Sequence, residues 1–260
     1  EFRVLVDPIA TYNFQTLPAQ PAISIVPGAP KTWVAVVPST IATGEPFSLK
    51  IKAEDTWGNP TNKASMRFIA KSNWPIENLP EFIEFNAGDF STEIGGLITT
   101  RTGPLEILLC AKDGSLVASS NPTIVSATPA FKSYWGDLHG QSDETLGTNS
   151  ATDYFAFGRD LAFLDVCAHQ GNDFQMTDTF WKDLNRVTSH FYEDGRYVTL
   201  PGYEWSGNTA LGGDRNVYFP VEGRTMRRSS HALIEDQSDL DTDCHTAGDL
   251  FEAFADNKEW

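Results

Sequence analysis

The chain has 260 residues, of which 40% are apolar and 12% aromatic, and a formal net charge of −16. That composition supports a sizeable core and excludes a disordered chain, and no apolar run approaches the ~20 residues of a membrane-spanning helix. The charge is uneven: residues 1–125 carry 9 basic and 12 acidic side chains, residues 126–260 carry 10 and 23, so the second half repels phosphate and nucleic acid is not expected as a partner.

In chain order, residues 1–30 are rich in Pro and Ala and read as an extended lead-in. Residues 31–128 pattern as short strands. FSLKIKAED alternates, with Phe47, Leu49, Ile51 and Ala53 on one face. TWGNP marks a turn at Gly58, Asn59 and Pro60, and Asp113-Gly114 marks a hairpin. Several short strands separated by turns predict an immunoglobulin-like β-sandwich.

From 129 to 260 the pattern changes to alternating strand and helix. NSATDYFAFGRD reads as a helix capped by Ser150, with Asp153 three residues on. LAFLDVCA is a nearly continuous apolar run, the pattern of a strand buried on both faces. TDTFWKDLNRVTSHF carries Phe180, Trp181, Leu184, Val187 and Phe191 on one stripe, with Thr177 as its cap and Gly195 as a stop. RYVTLPGYEW and RNVYFP read as strands, and HTAGDLFEAFADN as a helix capped by Thr246. The expected fold class is therefore a multidomain β plus α/β chain, its second half built on a parallel sheet or barrel.

In such folds functional groups collect where strands end. Polar clusters sit there in DLHGQSD, AHQGND and GYEWSG. Side chains two apart on a strand share a face, so Asp137, His139 and Gln141 are expected to converge, as a metal site or as a polar loop. Cys110, Cys167 and Cys244 make no disulfide framework, which leans towards a reducing, cytoplasmic compartment. No secretory signal is visible at the start, and a chain without an initiator Met is expected to be processed or a fragment.

WGDLHGQSDETLGTNSATDYFAF, FLDVCAHQGNDF, LPGYEWSGNTALGGDRNVYF and RRSSHAL together resemble the DUF3604 proteins, relatives of the PHP (polymerase and histidinol phosphatase) metal-dependent phosphoesterases. The resemblance covers roughly residues 135–235. It implies the first part of a (β/α)7 barrel, with one or two Zn, Mn or Fe ions at the strand ends. His139, His169, Glu204 and Asp214 fall on the family's ligand positions. Asp137 would orient a ligand or bind directly. Gln141 stands where the family has histidine, and Ala168 where it has a metal-binding aspartate. The family's later strands are absent, so the remaining half of the barrel is expected from the same or another chain, which includes an oligomer.

The function implied is a metal-dependent hydrolase of a phosphate ester or related ester, in which a metal-activated water attacks. Asp137 and His231 are the expected catalytic side chains, His231 as a proton donor or phosphate contact. Gln141, Arg215, Arg227 and Arg228 are the expected contacts to a small anionic substrate, because arginine forks suit such groups. Two alternatives stand beside this one: a non-catalytic binding module with a decayed metal site, and a metal-dependent lyase on the same scaffold.

Overall fold

The computed structural model describes residues 3–207 and 212–255. A small antiparallel pair, β1 (Leu5–Val6) and β2 (Gln15–Thr16), precedes the main body. Then come β3 (Thr32–Val36), β4 (Thr40–Ala42), β5 (Phe47–Glu54), β6 (Met66–Ser72), β7 (Phe82–Phe85), β8 (Ser91–Leu97), β9 (Gly103–Leu105), β10 (Ile107–Cys110), β11 (Leu116–Ser119) and β12 (Thr123–Ser126). They form three small sheets, ordered β3-β5-β8, β11-β10-β6-β7 and β4-β12-β9.

The alternation in β5 is realised residue by residue: Phe47, Leu49, Ile51 and Ala53 are buried, and the residues between them are partly exposed. They join Phe68, Phe85, Ile107 and Leu109 in one core. Trp33 meets Phe68 and Phe85 edge-on, with ring centroids 4.8 and 4.9 Å apart, a geometry that aligns the ring edge with a π face. At the TWGNP turn, Asp55 accepts hydrogen bonds from the backbone of Gly28, Trp57 and Asn59. These bonds, the one from Gly28 foremost, bring its pKa down to about 2.

The second half opens with β13 (Gly136–Gly140), α1 (Ala151–Asp160), β14 (Val166–His169), α2 (Asp178–Phe191) and β15 (Val198–Thr199). The three strands are parallel, in the order β13-β14-β15. An antiparallel hairpin follows, β16 (Gly202–Trp205) with β17 (Arg215–Tyr218), then a 3-10 turn at Leu240–Thr242 and α3 (Ala247–Ala255). The part of the expected helix beyond residue 255, as far as Asn257, lies outside the described residues. Phe155, Cys167, Met176, Leu184, Tyr197, Tyr203 and Trp205 make a second, separate core. No helix among the described residues is long and apolar enough to cross a membrane.

The expected immunoglobulin-like sandwich followed by part of a (β/α)7 barrel is corrected by this structure. The chain is mostly β, in several small sheets, with three helices among the described residues and no barrel. The physical reason is local. RYVTLPGYEW is not one strand, because Pro201 has no N–H to continue the ladder after β15, and the chain enters an antiparallel hairpin instead. Between β17 and α3 the described residues hold a 3-10 turn and an isolated Arg228–Asp243 bridge but no strand, so no further strand extends the β13-β14-β15 ladder. LAFLDVCA likewise becomes strand only from Val166, after Phe163 adopts φ +60°.

The two halves touch through charge and an aromatic ring. Lys52 Nζ donates to the Leu161 carbonyl at 2.8 Å. Lys50 and Lys52 stand 5.7 and 5.4 Å from the centre of the Phe163 ring. Arg196 reaches Glu93 at 3.3 Å.

The start of α1 is a capping box: the Ser150 hydroxyl accepts from Asp153 N–H, and the Asp153 carboxylate accepts from Ser150 N–H. Ser150→Ala is expected to cost about 1 kcal/mol, read as a lower midpoint in chemical denaturation with an unchanged slope.

Candidate functional site

The ends of β13 and β14 and the β16–β17 hairpin bring one carboxylate and several amides together. Glu204 is centred on β16 and only 8% exposed. Its backbone ties it to the end of β14: Glu204 N–H donates to the Gly171 carbonyl, and Asp173 N–H donates to the Glu204 carbonyl. Its Oε2 accepts from Asn172 Nδ2 at 2.8 Å and from Gln141 Nε2 at 3.3 Å. His139 Nε2 stands 3.4 Å from the same oxygen on a half-exposed imidazole. Asn216, opposite Glu204 in the hairpin, has its Nδ2 3.0 Å from His139 Nδ1 and 3.1 Å from the Tyr218 hydroxyl. The Glu204 carboxylate can accept a proton, and an N–H of the His139 ring beside it can donate to a developing negative charge.

Of the expected residues, His139, Gln141 and Glu204 meet. Asp137 does not join them. Between Asp137 and Gly140 the register slips, so that three steps along β13 match two along β14, from Cys167 to His169. The slip breaks strict alternation, and the Asp137 carboxylate accepts from His139 N–H instead.

His169 is buried with both ring nitrogens engaged. Gly171 N–H donates to Nδ1 at 3.2 Å, so Nε2 carries the proton and donates to Ser142 Oγ at 2.7 Å. Burial pushes its pKa down to about 4. Asp214 is exposed at the foot of β17, and the cluster's bonds run through Asn216. Arg215 turns back onto the Gly213 and Asp214 carbonyls. Arg227 is half-buried, its backbone N–H donating to the Tyr203 hydroxyl.

Arg228 is a fully buried staple. It donates to the carbonyls of Asp173 and Met176 and to the carboxylates of Asp178 and Asp239. His231, also buried, has Asp243 on Nδ1 and Asp239 on Nε2, each at 2.8 Å. Burial acts to raise Asp239, but the His231 hydrogen bond and the Arg228 charge outweigh it and hold the carboxyl below its usual range. Arg228 is thus occupied in holding residues 226–244 to the β14–α2 loop, and His231 in tying that segment to itself. Asp173, raised by burial, accepts from Ser206 and Ser229 N–H and links this staple to the Glu204 cluster.

A metal site needs three or four donors on one centre. No group of three His, Cys, Asp or Glu side chains among the described residues is so placed. His139 and Glu204 supply two, and His169 is closed off by Ser142 and Gly171. The ligand set expected from the resemblance is therefore not assembled by these residues. A cavity of about 590 Å³ lies elsewhere, between α2 and residues 222–226, with Trp181, Asn185 and Arg224 in its wall.

Asn172, Asn216 and Tyr218 are site residues that the sequence reading passed over. Asn216 and Tyr218 share one face of RNVYFP by period two, and Asn172 sits in the strand-end cluster AHQGND. Those positions were the available signal.

No family model matches the chain. An uncharacterized protein of Chlamydia pneumoniae is 26% identical over 238 residues, covering 88% of this chain and 37% of that protein. Uncharacterized proteins of Chlamydia muridarum and Chlamydia trachomatis are 24% and 23% identical over 256 residues, covering 90% of this chain and 40% of each relative. The chain spans about two fifths of the length of the curated relatives it matches.

His169 makes stability depend on pH. Its folded pKa, about 4, lies below the ordinary 6.5, so the unfolded chain takes up a proton that the folded chain refuses. No penalty arises above the ordinary value; it grows as pH falls through the window to about 4, reaching roughly 3 kcal/mol. Denaturation midpoints measured across that window are expected to fall less steeply in His169→Asn than in the wild type.

Proposed function

We propose that the chain carries a hydrolytic site for a neutral ester, with Glu204 as the base that activates water. The observation that supports this reading is the buried Glu204 carboxylate, fixed by Asn172 and Gln141 and opening onto the half-exposed His139 ring. Water attacks the ester carbonyl as Glu204 takes its proton. The developing oxyanion accepts a hydrogen bond from His139 Nε2–H. Collapse breaks the bond to the leaving oxygen, which receives the proton held by Glu204. The protein is regenerated, and one water yields an acid and an alcohol.

A neutral ester fits better than the phosphate ester suggested by the resemblance. Arg215 and Arg228 make their hydrogen bonds away from Glu204, and a phosphate would face that carboxylate in the more acidic half of the chain. Because His139 and Glu204 are the only two ligand types brought together there among the described residues, no step is assigned to a metal. A second reading, a binding module without turnover, is favoured by the three carboxamides, which bind polar groups but move no protons.

Turnover of p-nitrophenyl acetate above the buffer rate is expected, with p-nitrophenyl phosphate slower. Glu204→Gln keeps the shape of the site and is expected to lower kcat/KM by about 100-fold or more. Equal rates for the variant and the wild type would overturn the role of Glu204, and binding of an ester without turnover would favour the second reading.

A further inference from the structure

We infer that Tyr218 and Asn216 are positioning residues that fix His139 in the tautomer protonated on Nε2, making the ring a hydrogen-bond donor towards Glu204 and not a metal ligand. The inference deepens the proposed site and rests on its placement of His139 beside Glu204; its readout does not depend on turnover.

A backbone carbonyl can only accept a hydrogen bond. The Tyr218 hydroxyl lies 2.7 Å from the Leu138 carbonyl, so its single proton goes there. The Tyr218 oxygen is then left as an acceptor for its second contact, and the end of Asn216 facing it at 3.1 Å must be the amide nitrogen. That nitrogen has two protons. The second points to His139 Nδ1, 3.0 Å away, so Nδ1 presents a lone pair and the neutral ring carries its proton on Nε2. Turning Asn216 about would set its carbonyl oxygen against the Tyr218 oxygen, whose only proton is already given to Leu138. The amide orientation thus follows from the hydrogen-bond network.

The hydrogen bonds around Glu204 are likewise fixed in direction. Thr145 donates to Gln141 Oε1 at 2.5 Å, which fixes the Gln141 amide; its two protons reach Asn172 Oδ1 and Glu204 Oε2. Asn172 Nδ2 divides its protons between Glu204 Oε2 and Ser206 Oγ. Every amide at the site is oriented, and Gln141 and Asn172 both point a hydrogen at Glu204 Oε2.

A histidine that binds a metal through one nitrogen donates its other N–H to a carboxylate, carbonyl or water. Here the other nitrogen faces a donor. An acceptor at position 216 is therefore the missing element, and Asn216→Asp is a switch: the introduced carboxylate draws the proton to Nδ1 and turns the Nε2 lone pair towards the cleft.

Long-range proton–nitrogen NMR above the ordinary histidine titration range reads the tautomer directly, with His139 identified by the signals lost in His139→Gln. In the wild type, His139 Nδ1 is expected to be pyridine-like and Nε2 pyrrole-like. Tyr218→Phe is expected to give a mixture of both tautomers. Asn216→Asp is expected to reverse the assignment and to bind added Zn²⁺ at least about tenfold more tightly than the wild type. A protonated Nδ1 in the wild type overturns the inference, and that spectrum alone decides if a variant fails to fold. If the protein hydrolyses no ester while Nδ1 is unprotonated, the hydrolytic reading falls and the positioning role stands.

Discussion

The guanidinium of Arg228 is wholly out of water, and a charge there cannot be left without partners. It meets two backbone carbonyls at the β14–α2 junction and two carboxylates, one of them Asp239, which also holds His231. Residues 226–244 contain little regular structure among themselves. Their path is set by this buried charge and by the Cys244 N–H donating to the Arg228 carbonyl. Because the same guanidinium grips the carbonyl of Asp173, it also fixes the loop that carries Asn172 to Glu204. The basic cluster that invited a substrate role in the sequence is, at Arg228, the anchor of the site's back wall.

The Glu204 cluster is built from the opposite chemistry. Arg228 meets charge with charge, whereas Glu204 meets it with amide dipoles: Gln141 and Asn172 converge on one oxygen without neutralising it. Hydrogen bonds to a charged acceptor are stronger than neutral ones, so the carboxylate stays in place while its charge remains usable. Asp173 lies between the two systems, accepting from Ser206 on one side and Ser229 on the other.

Much of the local structure could be read from residue pattern. The alternation of β5, the Ser150 and Thr177 caps and the turn at Asp113-Gly114 are set by neighbours in sequence, and all are present. His139, Gln141 and Glu204 were visible because strand-end His and carboxylate residues stand out. The one-residue slip in β13 was not visible, and it removed Asp137 from the group. The break at Pro201 was present in the letters but was outweighed by the apolar run around it. Asn172, Asn216 and Tyr218 carry no charge signal, and their importance depends on hairpin register, which pairs Glu204 with Asn216 across residues distant in sequence. The barrel expectation came from ordered motifs, and motifs do not report how far a ladder continues.

Phe163 has a further consequence. A bulky residue at φ +60° is strained, at a cost of about 1–3 kcal/mol, and two lysines of β5 lie against its ring. Two residues on, Asp165 accepts from Trp135 N–H with its side chain and donates to the Trp135 carbonyl with its backbone. Trp135 immediately precedes β13, the strand that bears His139. The N-terminal sheets therefore act as an external splint. They hold the kinked segment against which its strand is aligned, and the aim of His139 at Glu204 depends partly on a half of the molecule whose described residues make none of the hydrogen bonds of the site.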